Sequence, residues 1–195
     1  MDWYALFVET GKEEQVQQCL RRFFNESTLY ALVPKRLVPE KKSGNIRYIR
    51  KIMFPGYVII RTLMDPEVYL KLKNIPKVYY LLKTARLHDH SEFCTKIQPD
   101  EISLLAKLMG GDEILGISEI YLEGSSISVT TGPLQGMEGL IKKIDRRKKR
   151  AKIIIPFLGR DIQFEVGIEI LRSVQNRCQA GITSSYPCPA VSAND

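Results

Sequence analysis

Residues 142–152, "KKIDRRKKRAK", hold eight cations: Lys142, Lys143, Arg146, Arg147, Lys148, Lys149, Arg150 and Lys152. One acid, Asp145, interrupts them, so their surplus equals the net charge of the whole chain, +7. Closely spaced cations repel one another within a Debye length of ~8 Å, a cost that a polyanion relieves by releasing its counterions. The chemistry this suggests is phosphate binding. The bland reading is a solvated hairpin tip whose charges deter edge pairing, a task for which a single lysine suffices. The stretch contains no aromatic, which argues against base stacking on extended single strands. A second basic region, residues 35–51, carries Lys35, Arg36, Lys41, Lys42, Arg47, Arg50 and Lys51 against Glu40. Its cations interleave with Tyr48 and Ile49, which suits either two exposed strand faces or a contact with DNA or RNA near a larger machine.

Little else in the chain looks like reaction chemistry. His88, His90 and Cys94 form a cluster without a fourth ligand at zinc-finger spacing, which fits a polar loop better than a metal site. "GPLQGMEG" lacks the GK[ST] ending of a phosphate-binding loop and opens no helix. No nucleophile motif is present, so the expectation is a protein that is not an enzyme and needs no cofactor or metal. The four cysteines, Cys19, Cys94, Cys178 and Cys188, form no CxxC pair, as expected of a reduced, cytoplasmic protein. "MDWYALFVET" has no basic n-region, and apolar runs such as "IIIPFL" fall far short of the ~20 residues that span a bilayer. No membrane partner is expected, because no basic amphipathic helix accompanies the charge.

The elements that must position these residues divide into two groups. "WYALFVE" predicts a first strand. Thr10 and Glu13 fit a capping box, and Val16, Cys19, Leu20, Phe23 and Phe24 form the stripe of an amphipathic helix. "LYALVPKRLVPE", "IRYIRKIMF" and "GYVIIRT" predict strands; Asp65-Pro66 starts a short helix, and "KVYYLL" returns as a strand. Pro99 opens a third helix that Gly110-Gly111 ends. This order predicts an α+β domain with helices on one face of a largely antiparallel sheet. After Gly116 the helical spacing disappears. "ISVTTG", "EGLIKKID", "AKIIIPF" and "DIQFEV" predict short strands and hence a small barrel, with the basic stretch at a hairpin tip. The expected organisation is an N-terminal domain over 1–109, a linker over 110–118, a barrel over 119–175 and an aperiodic, disordered tail over 176–195.

"WYALFVETGKEEQV", "FPGYVII" and "VTTGPLQGMEGLIKKIDRRKKRAKIIIPFLGRDIQFEV" together resemble the NusG family of transcription elongation factors, in order and spacing, from about residue 2 to 173. The resemblance implies a ferredoxin-like NGN domain followed by an SH3-like KOW barrel. It implies that an apolar depression on the first domain docks on the clamp helices of the largest RNA polymerase subunit. Trp3, Tyr4, Phe54 and Tyr57 match that depression, with Phe54 and Tyr4 the favoured anchors. Some positions depart from the housekeeping pattern. Lys77 follows Pro76 where glycine is usual, and Leu134 and Met137 replace phenylalanines at which ribosomal and termination partners dock. With the denser basic hairpin, these departures are most similar to the LoaP antiterminators, whose KOW domain recognises a nascent RNA hairpin. The implied function is processive antitermination. The alternatives are a general elongation factor that couples polymerase to ribosomal or termination proteins, and a ribosome-associated RNA-binding protein.

Overall fold

A computed structural model of the chain describes residues 1–82, 94–123 and 126–171. His88, His90 and the tail from 176 onward therefore lie outside the described residues. In chain order the elements are β1 (Asp2–Val8), α1 (Glu13–Phe23), β2 (Leu29–Leu32), β3 (Lys35–Lys42), β4 (Asn45–Ile52) and β5 (Tyr57–Thr62). There follow α2 (Pro66–Lys73), β6 (Val78–Leu81), α3 (Pro99–Met109), β7 (Ile114–Leu115), β8 (Ser118–Glu123) and β9 (Ser126–Thr131). A 3₁₀ turn at Glu138–Leu140 leads to β10 (Ile141–Asp145), β11 (Arg150–Phe157) and β12 (Arg160–Leu171).

The first domain is built on a sheet of order β2-β5-β1-β6, antiparallel at every pairing. Along β1, Tyr4, Leu6 and Val8 bury themselves with Val16 and Leu20 of α1 and Val68 and Leu72 of α2. Ala5 points the other way and, with Ile59, joins Leu105 and Leu108 of α3. The expectation of helices on one face is thus corrected: α1 and α2 cover one side, and α3 covers part of the other. The cause is legible in "WYALFV", which is apolar at every position rather than alternating, as a strand buried on both faces must be.

Local signals worked unevenly. Asp65 caps α2, its Oδ1 accepting the Val68 amide at 2.7 Å, and Gly110 ends α3 in the left-handed conformation at φ 60°. The capping box at α1 does not form. Lys12 is the N-cap, and the Glu13 carboxylate turns inward to accept the Gly56 amide at 2.7 Å. Phe23, expected on the apolar stripe, is 68% exposed, while Phe24 is buried.

The second domain is a five-stranded sheet of order β10-β11-β12-β8-β9, with a parallel pairing between β12 and β8. All five strands send residues into one core: Ile120, Val129, Ile141, Ile153 and Val166. That is the packing a small barrel requires. The core does not stop at the domain boundary, because the same apolar cluster takes in Ala5, Phe54, Ile59 and Leu108 of the first domain.

A third sheet, β4-β3-β7, lies where the domains meet. Residues 110–118 carry β7, which pairs in parallel with Lys35 and Arg36 of β3. The Glu113 carbonyl accepts the Lys35 amide at 2.9 Å, and its carboxylate receives Gln17 and Arg21 from α1.

Candidate nucleic-acid surface and the seam between the domains

The basic stretch forms the hairpin of β10 and β11, with Asp145 opposite Arg150 and Ile144 opposite Ala151. Asp145 organises the turn: its Oδ1 accepts the Lys148 amide at 2.9 Å. Lys149 takes the left-handed conformation at φ 53°, which closes the turn. Ile153, Ile155 and Phe157 anchor β11 in the barrel core, so the turn is carried by a rigid strand pair.

All eight predicted cations reach solvent to some degree, but unequally. Lys142, Lys143, Arg146, Arg147 and Lys148 are exposed, while Lys149 and Lys152 are half-buried. Arg150 differs. Its side chain is only 15% exposed, and its Nε and Nη2 donate to the Pro39 carbonyl of β3 at 3.1 and 2.7 Å. Its Nη1 pairs with Glu165 at 2.8 Å. Arg150 therefore joins the barrel to the first domain, a role its position in a basic run did not reveal.

The rest of the seam is equally specific. Phe54 stacks on Phe157 and meets Phe164 edge-on. Arg36 lies over the Phe164 ring at 5.1 Å, donates from Nε to the Glu165 carbonyl at 2.7 Å and from Nη1 to the Ile52 carbonyl at 2.7 Å. Its burial lowers the guanidinium's pKa from the usual arginine value. Tyr48 donates to the Glu169 carboxylate at 2.8 Å, and this bond to an anion raises the phenol's pKa. The motif "FLGR" contributes twice: the Gly159 amide donates to Glu101 of α3 at 3.0 Å, and Arg160 donates to the Tyr57 hydroxyl at 3.1 Å. Gly167 of β12 faces β3 so closely that a Cβ there would lie 2.9 Å from the Leu37 carbonyl oxygen and 3.0 Å from Pro39 Cδ.

The four aromatic positions matched to polymerase contact do not form one patch. Tyr4 is buried on the α1 side of the sheet, where burial raises its phenol's pKa. Trp3, Phe54 and Tyr57 belong to the other side. Trp3 is half-buried against Tyr30 with Arg61 over its ring, Phe54 is covered by the barrel, and Tyr57 is half-buried beneath Arg160. Sequence reasoning did not foresee the seam roles of Arg36, Glu101, Arg160 and Gly167. Arg36 was read only as one cation of the second basic region, and Arg160 only as part of the motif Phe157-Leu158-Gly159-Arg160.

Among the described residues no group of three or more His, Cys, Asp or Glu is placed to hold a metal, and no helix is long and apolar enough to cross a membrane.

A family model described as "Transcription termination factor nusG" matches residues 1–106. The Bacillus subtilis transcription termination/antitermination protein NusG is 25% identical over 170 residues, covering 85% of this chain and 94% of that protein. The Staphylococcus carnosus protein of the same name is 24% identical over 169 residues, covering 84% and 91%. A solved structure described as "Domain interaction in Thermotoga maritima NusG" shares the fold with a TM-score of 0.55 at 19% identity, covering 85% of this chain and 93% of that one.

Proposed function

Because this chain belongs to the NusG family of transcription termination and antitermination factors, which act with RNA polymerase and are not enzymes, we propose that it is a processive antitermination factor. In this reading the first domain engages the clamp helices of the largest polymerase subunit through the aromatic side of its sheet, and the barrel hairpin grips a hairpin in the nascent RNA. The observation that carries the reading is the barrel turn itself. Arg146, Arg147 and Lys148 stand exposed on a strand pair anchored in the core, with Lys142 and Lys143 beside them. A rigid backbone holds these cations in a fixed pattern, which suits the fixed phosphate spacing of a structured RNA.

Phe54 enters polymerase contact only after the barrel lifts away, since it is 2% exposed beneath Phe157. Docking is then a gate on polymerase engagement. A specific observation weighs against a role centred on ribosomal or termination proteins: Leu134 is buried and Met137 packs against the core, so neither offers the projecting aromatic implied for those partners.

The test is titration of the full chain with a structured RNA over a range of salt. Four phosphate contacts give a log–log slope of roughly −3 to −4. Replacing Arg146, Arg147 and Lys148 with alanine is expected to flatten that slope and abolish tight binding while the fold survives. Undiminished affinity in that variant overturns the assignment.

A further inference from the structure

The β3–β4 hairpin exposes a second set of cations: Lys41, Lys42, Arg47, Arg50 and Lys51. In the fold this hairpin touches the barrel beside the first set. Arg150, beside the turn of the barrel hairpin, holds the carbonyl of Pro39, and Tyr48, opposite Pro39, holds Glu169 of β12. The acids within this seam are already engaged, Glu165 with Arg150 and Glu169 with Tyr48. Glu40 remains exposed beside the cations.

The reach is short. From Pro39 to Lys42 and from Arg150 back to Arg146 are three or four residues each, or roughly 10–13 Å of strand and turn at ~3.3 Å per residue. Both groups of cations therefore lie within about 30 Å of one another, a span shorter than the ~16 base pairs that a double-stranded RNA-binding module covers.

We propose that the β3–β4 hairpin and the β10–β11 hairpin form one cationic surface for a single folded RNA, and that this surface is complete only while the barrel is docked. The inference rests on the reading of the barrel hairpin as an RNA contact and extends it to a second domain. Two basic hairpins held side by side repel each other, and an RNA helix lying across both removes that repulsion. By linkage, RNA and docking then strengthen one another to the same degree. A barrel that has lifted off keeps only the contacts of its own turn, so release toward polymerase loosens the grip on RNA.

The experiment uses the full chain and an RNA hairpin with a stem of ~16 base pairs. Lys41, Lys42 and Arg47 are replaced together with alanine, once in the native background and once with Gly167→Val. The valine places a side chain against the Leu37 carbonyl and Pro39 of the other domain, whereas its remaining close neighbour is the movable Ile117 side chain of the connecting segment. Far-ultraviolet circular dichroism checks that both domains stay folded. Phe54→Ala, which removes the docking ring from the first domain, serves as a second undocking variant.

In the native background the triple replacement is expected to weaken RNA binding at least tenfold and flatten the salt slope by about 3. In either undocked background it is expected to change affinity less than twofold. An equal loss in docked and undocked chains overturns the composite surface. No loss in the docked chain, with Arg146, Arg147 and Lys148 still required, overturns it too and leaves the proposed function standing. Indifference to both sets of replacements removes the RNA assignment altogether. Tighter binding to a B-form DNA duplex of the same length overturns the choice of RNA.

Discussion

Phe54 and Phe157, one from each domain, stack with ring centroids 4.0 Å apart and planes inclined by 16°. Both are at most 2% exposed. The contact fuses two apolar cores into one, and its loss is the most direct way to part them. Phe54→Ala is expected to separate the domains, with a share of the ~3–5 kcal/mol typical of a buried phenylalanine truncation appearing as lost docking. Energy transfer between dyes on the two domains should fall. Unchanged transfer would mean that the polar contacts alone suffice.

Arg150 and its neighbours in the basic run should separate by phenotype. Arg150→Ala deletes two bonds to Pro39 and an ion pair with Glu165, so it is expected to weaken docking by about 2 kcal/mol, the scale of hydrogen bonds made by charged groups. Replacing Arg146, Arg147 and Lys148 should leave docking intact or slightly tighter, since part of the repulsion between the two basic hairpins goes, while RNA binding fails. The same dye pair and a parallel RNA titration score both variants.

Glu13 is 1% exposed and accepts the amide of Gly56, in the turn that follows Phe54. Glu13→Ala strands a buried donor, with an expected loss of about 1–3 kcal/mol. Glu13→Gln keeps an oxygen there and should cost less. Urea unfolding midpoints rank the three chains; equal midpoints for alanine and glutamine would show that the acceptor is not what matters.

Lys77 holds φ 72°, a backbone region that suits glycine, and its ammonium pairs with Glu9 at 2.7 Å. Lys77→Gly relieves the left-handed strain of a side-chain-bearing residue and is expected to raise the melting temperature by a few degrees. Glu9→Ala should change it little, since the pair is solvent-exposed. Calorimetry distinguishes backbone relief from loss of the ion pair.

Tyr48 links docking to alkaline pH. Its proton bonds to Glu169 in the docked state, and its pKa is raised above the tyrosine norm of ~10. The contribution is therefore fully present below the ordinary pKa and is lost as pH rises through the raised one. Docking followed by energy transfer should be flat near neutrality and weaken above about pH 10. In Tyr48→Phe that alkaline step should shrink.

Much of the scaffold was legible because punctuation and period are local. Asp65-Pro66, Pro99 and Gly110 marked helix ends that the fold uses, and the alternation of β12 located the barrel core. Glu13 misled because its spacing from Thr10 satisfies a capping rule, while its real partner is an amide 43 residues away. The seam was hidden for a similar reason. It relies on backbone groups of Leu37, Pro39 and Glu165 and on pairs separated by more than 100 residues, such as Arg150 with Pro39, which leave no periodic trace. The charge surplus was plain from composition; that one of its members faces the other domain was not.

β7 is stitched to β3 up to Leu115, and β8 begins at Ser118. Only Gly116 and Ile117 lie between, so a detached barrel stays on a tether of a few residues, each adding at most ~3.6 Å. Confinement of that kind gives the separated halves a mutual effective concentration in the millimolar range or above. Any competitor for the Phe54 face must therefore outbid a neighbour that never diffuses away, and recapture begins the moment it lets go.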